Sequence, residues 1–184
     1  MKLAPKLFLQ LIIIQSIVLT SCQNDNNWEP LDHSVFFDLN GEPVVFLNAK
    51  GTINNDSVSN IPVSNISINA DFEGGEIELF IQSETTLQTG EYSFTAADNR
   101  NLRSYSAFSY VTLVNQDTLP LTYISTDDYE HRGSVIITEI DLLSKTISGT
   151  FDGTVINRVV FSDGNRISSG PNTIKNGAFH NVRF

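Results

Sequence analysis

The sequence predicts an all-β fold: an antiparallel β-sandwich, or flattened barrel, of about ten strands. Three observations carry that prediction. After residue 30 the apolar residues recur at every second position, so that Ile77, Leu79 and Ile81 share one face and Glu76 and Glu78 the other. Turn dipeptides, Asn40-Gly41 and Gly74-Gly75, separate such runs and signal hairpins. No stretch after Cys22 carries the apolar stripe of an amphipathic helix.

Each element follows in order. Val35–Leu39 and Pro43–Leu47 flank Asn40-Gly41 and form the first hairpin. Asn54-Asn55-Asp56-Ser57 is rich in turn formers and reads as a connecting loop. Val63–Phe72 is the next strand, with Ile66, Ile68 and Ala70 alternating against Asn65, Ser67 and Asn69. Glu76–Ile81 returns from it across Gly74-Gly75. Further strands read at Gly90–Phe94, Tyr105–Val114, Leu119–Ile124, Ser134–Ile140, Thr146–Ile156, Arg158–Phe161 and Thr173–Val182. Val, Ile, Thr, Phe and Tyr dominate them, as pleated surfaces favour. Asn115–Thr118 and Asp141–Lys145 read as hairpin turns, and Gly149 and Gly177 mark a bulge or a close backbone approach. Short strands between short turns imply a sandwich or barrel. Phe94, Tyr105, Phe108, Tyr110, Phe151, Phe161 and Phe179 are expected in its core. Residues 35–184 are expected to form this single domain.

The first 34 residues read differently. Lys2 and Lys6 form a positive region, Leu7–Leu19 an apolar one, and Leu19-Thr20-Ser21-Cys22 resembles the lipobox of bacterial lipoproteins. Gln10, Gln15 and Ser16 interrupt the apolar run, which is shorter than the roughly 17–25 residues that a membrane span needs. Residues 1–21 are therefore expected to be a cleaved signal peptide. Cys22 would become the first residue, carrying a thioether-linked diacylglycerol and a further acyl chain such as palmitate. Cys22 is also the only cysteine, so no disulfide supports the fold. Residues 22–34 read as a flexible tether, polar from Gln23 to Asn27 and including the lone Trp28. Asp25, Glu29 and Asp32 give the tether an acidic lead, which predicts a domain held off an anionic surface rather than adsorbed to it.

Loss of Lys2 and Lys6 takes two positive charges from a chain already at −10, leaving −12. Nucleic-acid binding rewards clustered Lys and Arg, so this balance argues against a nucleic-acid partner. It suits solubility in an exposed compartment.

The C-terminal half carries a series of motifs: Gly133–Asp141, then Thr146-Ile-Ser-Gly-Thr-Phe151, then Asn172–Val182, with Gly90–Phe94 upstream. These resemble a family of uncharacterised Bacteroidota lipoproteins in which an SGTF step precedes a closing NGxF strand. The resemblance covers roughly residues 35–184 and implies a β-sandwich on an outer-membrane lipoprotein, facing either the periplasm or the exterior. It supplies no catalytic residue.

Chemistry-bearing motifs are otherwise sparse. GxSxG, HExxH, P-loop and GxGxxG patterns do not occur, and no cofactor is implied. His33, His131 and His180 are scattered without ligand spacing, and His180 is expected to face solvent. Asp127, Asp128 and Glu130 are the densest acidic patch, yet they lack a calcium-loop spacing and read as a solvated loop rather than a metal site. Ser168-Ser169 has no partnered base. Asp56-Ser57-Val58 and Asp117-Thr118-Leu119 resemble the Asp-Ser/Thr-aliphatic motif of O-glycosylated exported Bacteroidota proteins, which singles out Ser57 and Thr118 as acceptors.

These readings favour a non-enzymatic cell-envelope lipoprotein, reaching the membrane through its N-terminal lipid and serving as a binding or structural module for a glycan or protein. One alternative is a small glycan-active hydrolase or lyase on a β-sandwich, since paired carboxylates leave no fixed sequence pattern. Another is a fimbria-like assembly subunit that pairs strand edges.

Overall fold

Eleven strands build the described part of the chain: β1 (Ser34–Leu39), β2 (Glu42–Phe46), β3 (Lys50–Val58), β4 (Ile61–Phe72), β5 (Gly75–Ser83), β6 (Gly90–Ser93), β7 (Tyr105–Thr112), β8 (Leu121–Ser125), β9 (Gly133–Asp141), β10 (Thr146–Val160) and β11 (Arg166–Arg183). The computed structural model describes residues 31–58, 60–72, 75–95, 104–112, 121–126, 132–160 and 165–184. Among them there is no helix.

The strands hydrogen-bond in the order β2-β1-β11-β3-β4-β5-β7-β8-β10-β9-β6, with β10 and β11 also paired to each other. Two long strands give this order its shape. The Thr146–Gly153 half of β10 pairs with β9, while its Val155–Val159 half pairs with β8. Strand β10 thus passes from one layer to the other, and β11 runs beside it throughout. One layer is β2-β1-β11-β10-β9-β6; the other is β3-β4-β5-β7-β8-β10-β11. A single parallel bridge, Arg183↔Lys50, joins β11 to β3, and another, Phe94↔Ser106, ties the end of β6 to β7. Together these pairings make an all-β sandwich flattened from a barrel.

Local chemistry explains the turns. Asn40 (φ 55°) and Gly41 (φ 89°) both adopt left-handed backbone, the type I′ geometry that suits a two-residue hairpin. Asn40 is also fixed from outside: its side-chain oxygen accepts the Thr173 N–H at 2.9 Å. At the β9–β10 turn, Asp141 Oδ1 accepts the Leu143 N–H at 2.7 Å and the Ser144 N–H at 3.1 Å.

One core fills the space between the layers, drawing Val35 and Phe37 from β1, Ile66 and Ile68 from β4, and Phe151 and Phe179 from β10 and β11. Ile77, Leu79 and Ile81 are fully buried in it, as their alternation predicts. Phe37 stands edge-on to Phe108 and Tyr110, with ring centroids 5.5 and 5.6 Å apart. Such pairs add about 0.5–1.5 kcal/mol beyond their area burial.

Four expectations are corrected. Asn54–Ser57 is not a loop: it lies inside β3, paired residue for residue with β4 from Asn54↔Asn65 to Ser57↔Pro62. The segment read as Thr146–Ile156 runs on without a break through Asn157 and Arg158 to Val160 as one strand, with a register shift between Val155 and Asn157 where the break was expected. Strand β11 starts seven residues before Thr173, at Arg166. Tyr105 is buried, but on the outward side of the β5–β7 layer, where its ring packs 5.5 Å from Phe80 in a second small cluster with Ala107. Phe161 lies outside the described residues.

Candidate functional site

An open groove of about 520 Å³ runs across the layer containing β6, β9, β10 and β11. Gly133 of β9 and Gly153 of β10 pair directly and form part of its floor. Four charged residues line it: Glu91 from β6, Arg132 ahead of β9, Asp152 from β10 and Lys175 from β11. A second groove, of about 340 Å³, continues from Ser134 and Asp152 along Ile136, Thr150, Asn176 and Phe36. Asn176 donates to Asp38 Oδ2 at 2.7 Å on that side. Two carboxylates, a guanidinium and an ammonium around an open trough offer hydrogen bonds to a polar ligand without a net charge preference. Among the described residues, no group of three or more His, Cys, Asp or Glu comes together to hold a metal ion.

The second notable region is the pole where the chain enters the fold. The His33 N–H donates to the His180 carbonyl at 2.8 Å, and the His33 carbonyl accepts the Ala49 N–H at 2.7 Å. The His33 ring bonds the Asn181 carbonyl through Nδ1. Asp32 Oδ1 accepts Asn181 Nδ2 at 2.7 Å and lies 3.6 Å from His180 Nε2. Residues expected at the end of a tether are therefore bonded to β11, and the fold begins before residue 35. His180 is half-buried, in contact with Asp32 and Asn181.

The structure gives the other singled-out residues these places. Ser57 is exposed near the end of β3, and its N–H donates to Asp56 Oδ1 at 2.7 Å. Ser168 and Ser169 are exposed on β11, where Asn157 Oδ1 accepts the Ser169 N–H at 3.1 Å. Cys22, Trp28, Thr118, Asp127, Asp128, Glu130 and His131 lie outside the described residues. The grooves bring together none of the singled-out site residues. Glu91 and Asp152 were passed over in the sequence because they sit on separate strands, 61 positions apart, as ordinary outward-facing polar residues.

Two ionisable groups depart from their ordinary values. Burial, and secondarily Tyr110, pushes the Tyr123 phenol up; the two rings stack 5.8 Å apart. The Asp141 carboxyl is held below the usual aspartate range, first by the Ser144 side chain and then by the Ser144 and Leu143 N–H groups.

The fold and surface define a β-sandwich domain with open polar grooves. The chain belongs to the DUF6252 family, a domain of unknown function, which matches residues 53–183. That span runs from within β3 to the end of β11, and the β1–β2 hairpin precedes it. No curated protein and no solved structure matches the chain.

Proposed function

We propose that this chain is a non-enzymatic lipoprotein of the bacterial outer membrane, of Bacteroidota type, anchored through Cys22 and serving as a binding or structural module. The observation that carries this reading is the path of the chain into the fold. Leu31–His33 enter at one pole and are bonded there to β11 and to Ala49. Nine residues upstream stands the only cysteine, at the end of a lipobox-like sequence. Nine residues reach roughly 30 Å at most, so an acyl group on Cys22 would keep this pole close to the lipid. Several acyl chains hold far more firmly than one. The open grooves then supply a surface for a glycan or protein, with no nucleic-acid partner and no cofactor involved. Exposed Ser57, with Thr118, would accept O-glycans.

The test is Cys22→Ser in a host that processes lipoproteins. The parent should partition with membranes and incorporate a labelled fatty acid; the variant should move to the aqueous fraction without label. Unchanged membrane retention and no acyl mass on the N-terminal peptide would overturn the reading.

One observation favours the enzymatic alternative: Glu91 and Asp152 line the same groove. A glycan hydrolase or lyase using them would lose polysaccharide cleavage in both Glu91→Gln and Asp152→Asn. For the assembly reading, the strand order leaves β2 and β6 as edges, while the terminal strand β11 is paired on both sides, with β1 and β10, and is not a detachable donor strand.

A further inference from the structure

Eight large apolar side chains are exposed among the described residues, and the four that are leucines all sit at one pole: Leu31 (59 %), Leu47 (50 %), Leu142 (74 %) and Leu143 (97 %). The pairings place them there. Leu31 precedes β1, whose Ser34 lies opposite His180. Leu47 follows Phe46, which pairs with Val35. Leu142 and Leu143 form the turn closed by Asp141↔Thr146, and Thr146 pairs with Arg183. From β9 through β10, β11 and β1 to β2 is four interstrand steps, so the leucines spread over roughly 20 Å.

Exposed Lys145, Arg183 and Lys50 stand among them, with Arg183 opposite Lys50. Asp32 and Asp141 are the carboxylates near the leucines, just ahead of β1 and at the end of β9, with Glu139 two residues further into β9. Exposed Asp71 and Glu76 pair with each other on β4 and β5, two residues beyond the Asn69 that lies opposite Lys50. The two near the leucines are engaged: Asp32 by Asn181 and His180, and Asp141 by the N–H groups that shape the leucine turn. The acidic lead of the tether argues for a domain held off the surface, but the pole itself presents leucines and three cations. A row of exposed apolar side chains rimmed by polar residues marks a contact surface, and cations beside it are drawn to anionic headgroups.

We infer that this pole rests on the lipid surface that anchors Cys22, with Leu142 and Leu143 entering the headgroup layer and Lys50, Lys145 and Arg183 meeting lipid phosphates. The occupant is the membrane because the chain leaves the fold toward Cys22 at this same pole. The inference rests on the lipid-anchor reading.

The test uses the full chain, produced with its leader in a lipoprotein-processing host and reconstituted into phosphatidylcholine–phosphatidylglycerol vesicles. A thiol-reactive environmental dye is placed at Leu143→Cys, Leu47→Cys or Ile167→Cys. Ile167 is also exposed (61 %), but it belongs to the opposite end of β11. If Cys22 is acylated, the parent takes up no dye and floats with the vesicles. The expected result is a blue shift and quenching by brominated acyl chains at 143 and 47, with neither at 167. With the dye at 47, Leu142→Ser/Leu143→Ser should reduce quenching to the level seen at 167. Flotation without quenching at 143 overturns the inference and leaves the anchor standing. A blue shift unquenched by bromolipid, with a sedimenting dimer, assigns the leucines to a second copy and overturns it too. Failure to float, with dye on the parent, removes the anchor and the inference together.

Discussion

Phe179 lies across Gly149. The two pair directly on β11 and β10, and the ring's Cζ stands 2.4 Å from the point that a Cβ on Gly149 would occupy. The arrangement is reciprocal two residues along, where the Phe151 ring covers Gly177 with a closest approach of 2.7 Å to the corresponding point. Each aromatic ring fills the space left by the opposing glycine, and both rings are buried in the core. These close approaches accompany register shifts in β10 on either side of Gly149 and Phe151.

Gly149→Ala should therefore destabilise the domain on the order of 1–3 kcal/mol, as overpacking does, lowering the melting temperature by roughly 2–10 °C. Phe179→Leu in the same chain should recover only part of the loss. The Ile136 carbonyl, backbone that cannot rotate away, is 2.3 Å from the same point. A double-mutant cycle followed by thermal unfolding reads the coupling. A Gly149→Ala protein that melts with the parent would remove the close-approach account.

Asp141 makes stability sensitive to acid. Its carboxyl titrates below the ordinary value of about 3.9 because Ser144 and the Leu143 N–H favour the charged form. A depressed folded-state value contributes stability that is present above the unfolded value and lost as the pH falls through the folded one. The parent should lose this contribution below about pH 4, and Asp141→Asn should be less stable at neutral pH with a flatter acid limb. Melting curves from pH 7 to pH 3 check both. Parallel curves for parent and variant would show that the turn does not depend on the charge.

Much of the fold was legible in the sequence because one face of most strands is buried. Period-two alternation placed β4 and β5, and Asn40-Gly41 placed the first hairpin. Strand β3 escaped because almost all its residues are exposed. It is held by backbone pairing to β4, so Asn54–Ser57 keep the polar composition of a turn while running as a strand. The break placed at Asn157 was a register shift within one strand. Phe80 and Tyr105 show a further limit: alternation assigns Phe80 to the outward face correctly but cannot reveal that this face is buried there. The groove and the leucine pole were invisible because each is assembled from separate elements by the crossing of β10 and β11, and a loop leucine reads in sequence as core.

The closing strand is integral to the sandwich. From Thr173 onward, β11 supplies Ile174, Phe179 and Val182 to the core, and it is flanked by β1 and β10. Deleting residues 173–184 would remove three buried side chains, each contributing about 1.5–3 kcal/mol, and would unpair both neighbours. Typical domain stability is only about 5–15 kcal/mol. The truncated protein should lose its cooperative unfolding transition in urea. A sigmoidal transition near the parent midpoint would contradict this role.

Ser57 and Thr118 are expected to carry O-glycans in the native host. Ser57 is exposed toward the far end of the β3–β4 hairpin, beside Asp56 and Val58. A strand position differs from a loop in one respect that matters here. The Ser57 backbone is fixed opposite Pro62 on β4, so a glycosylating enzyme would have to take the hydroxyl from a paired strand. The Asp56 carboxylate already accepts the Ser57 N–H, which accounts for the aspartate as a local backbone partner without any modification. The two readings differ in mass alone. Intact-mass measurement of protein from the native host should show sugar increments that fall by one in Ser57→Ala, by one in Thr118→Ala, and to none in the double variant. A sugar-free parent mass would leave Asp56 only its hydrogen bond. Loss of sugar in Thr118→Ala alone would show that strand pairing protects Ser57.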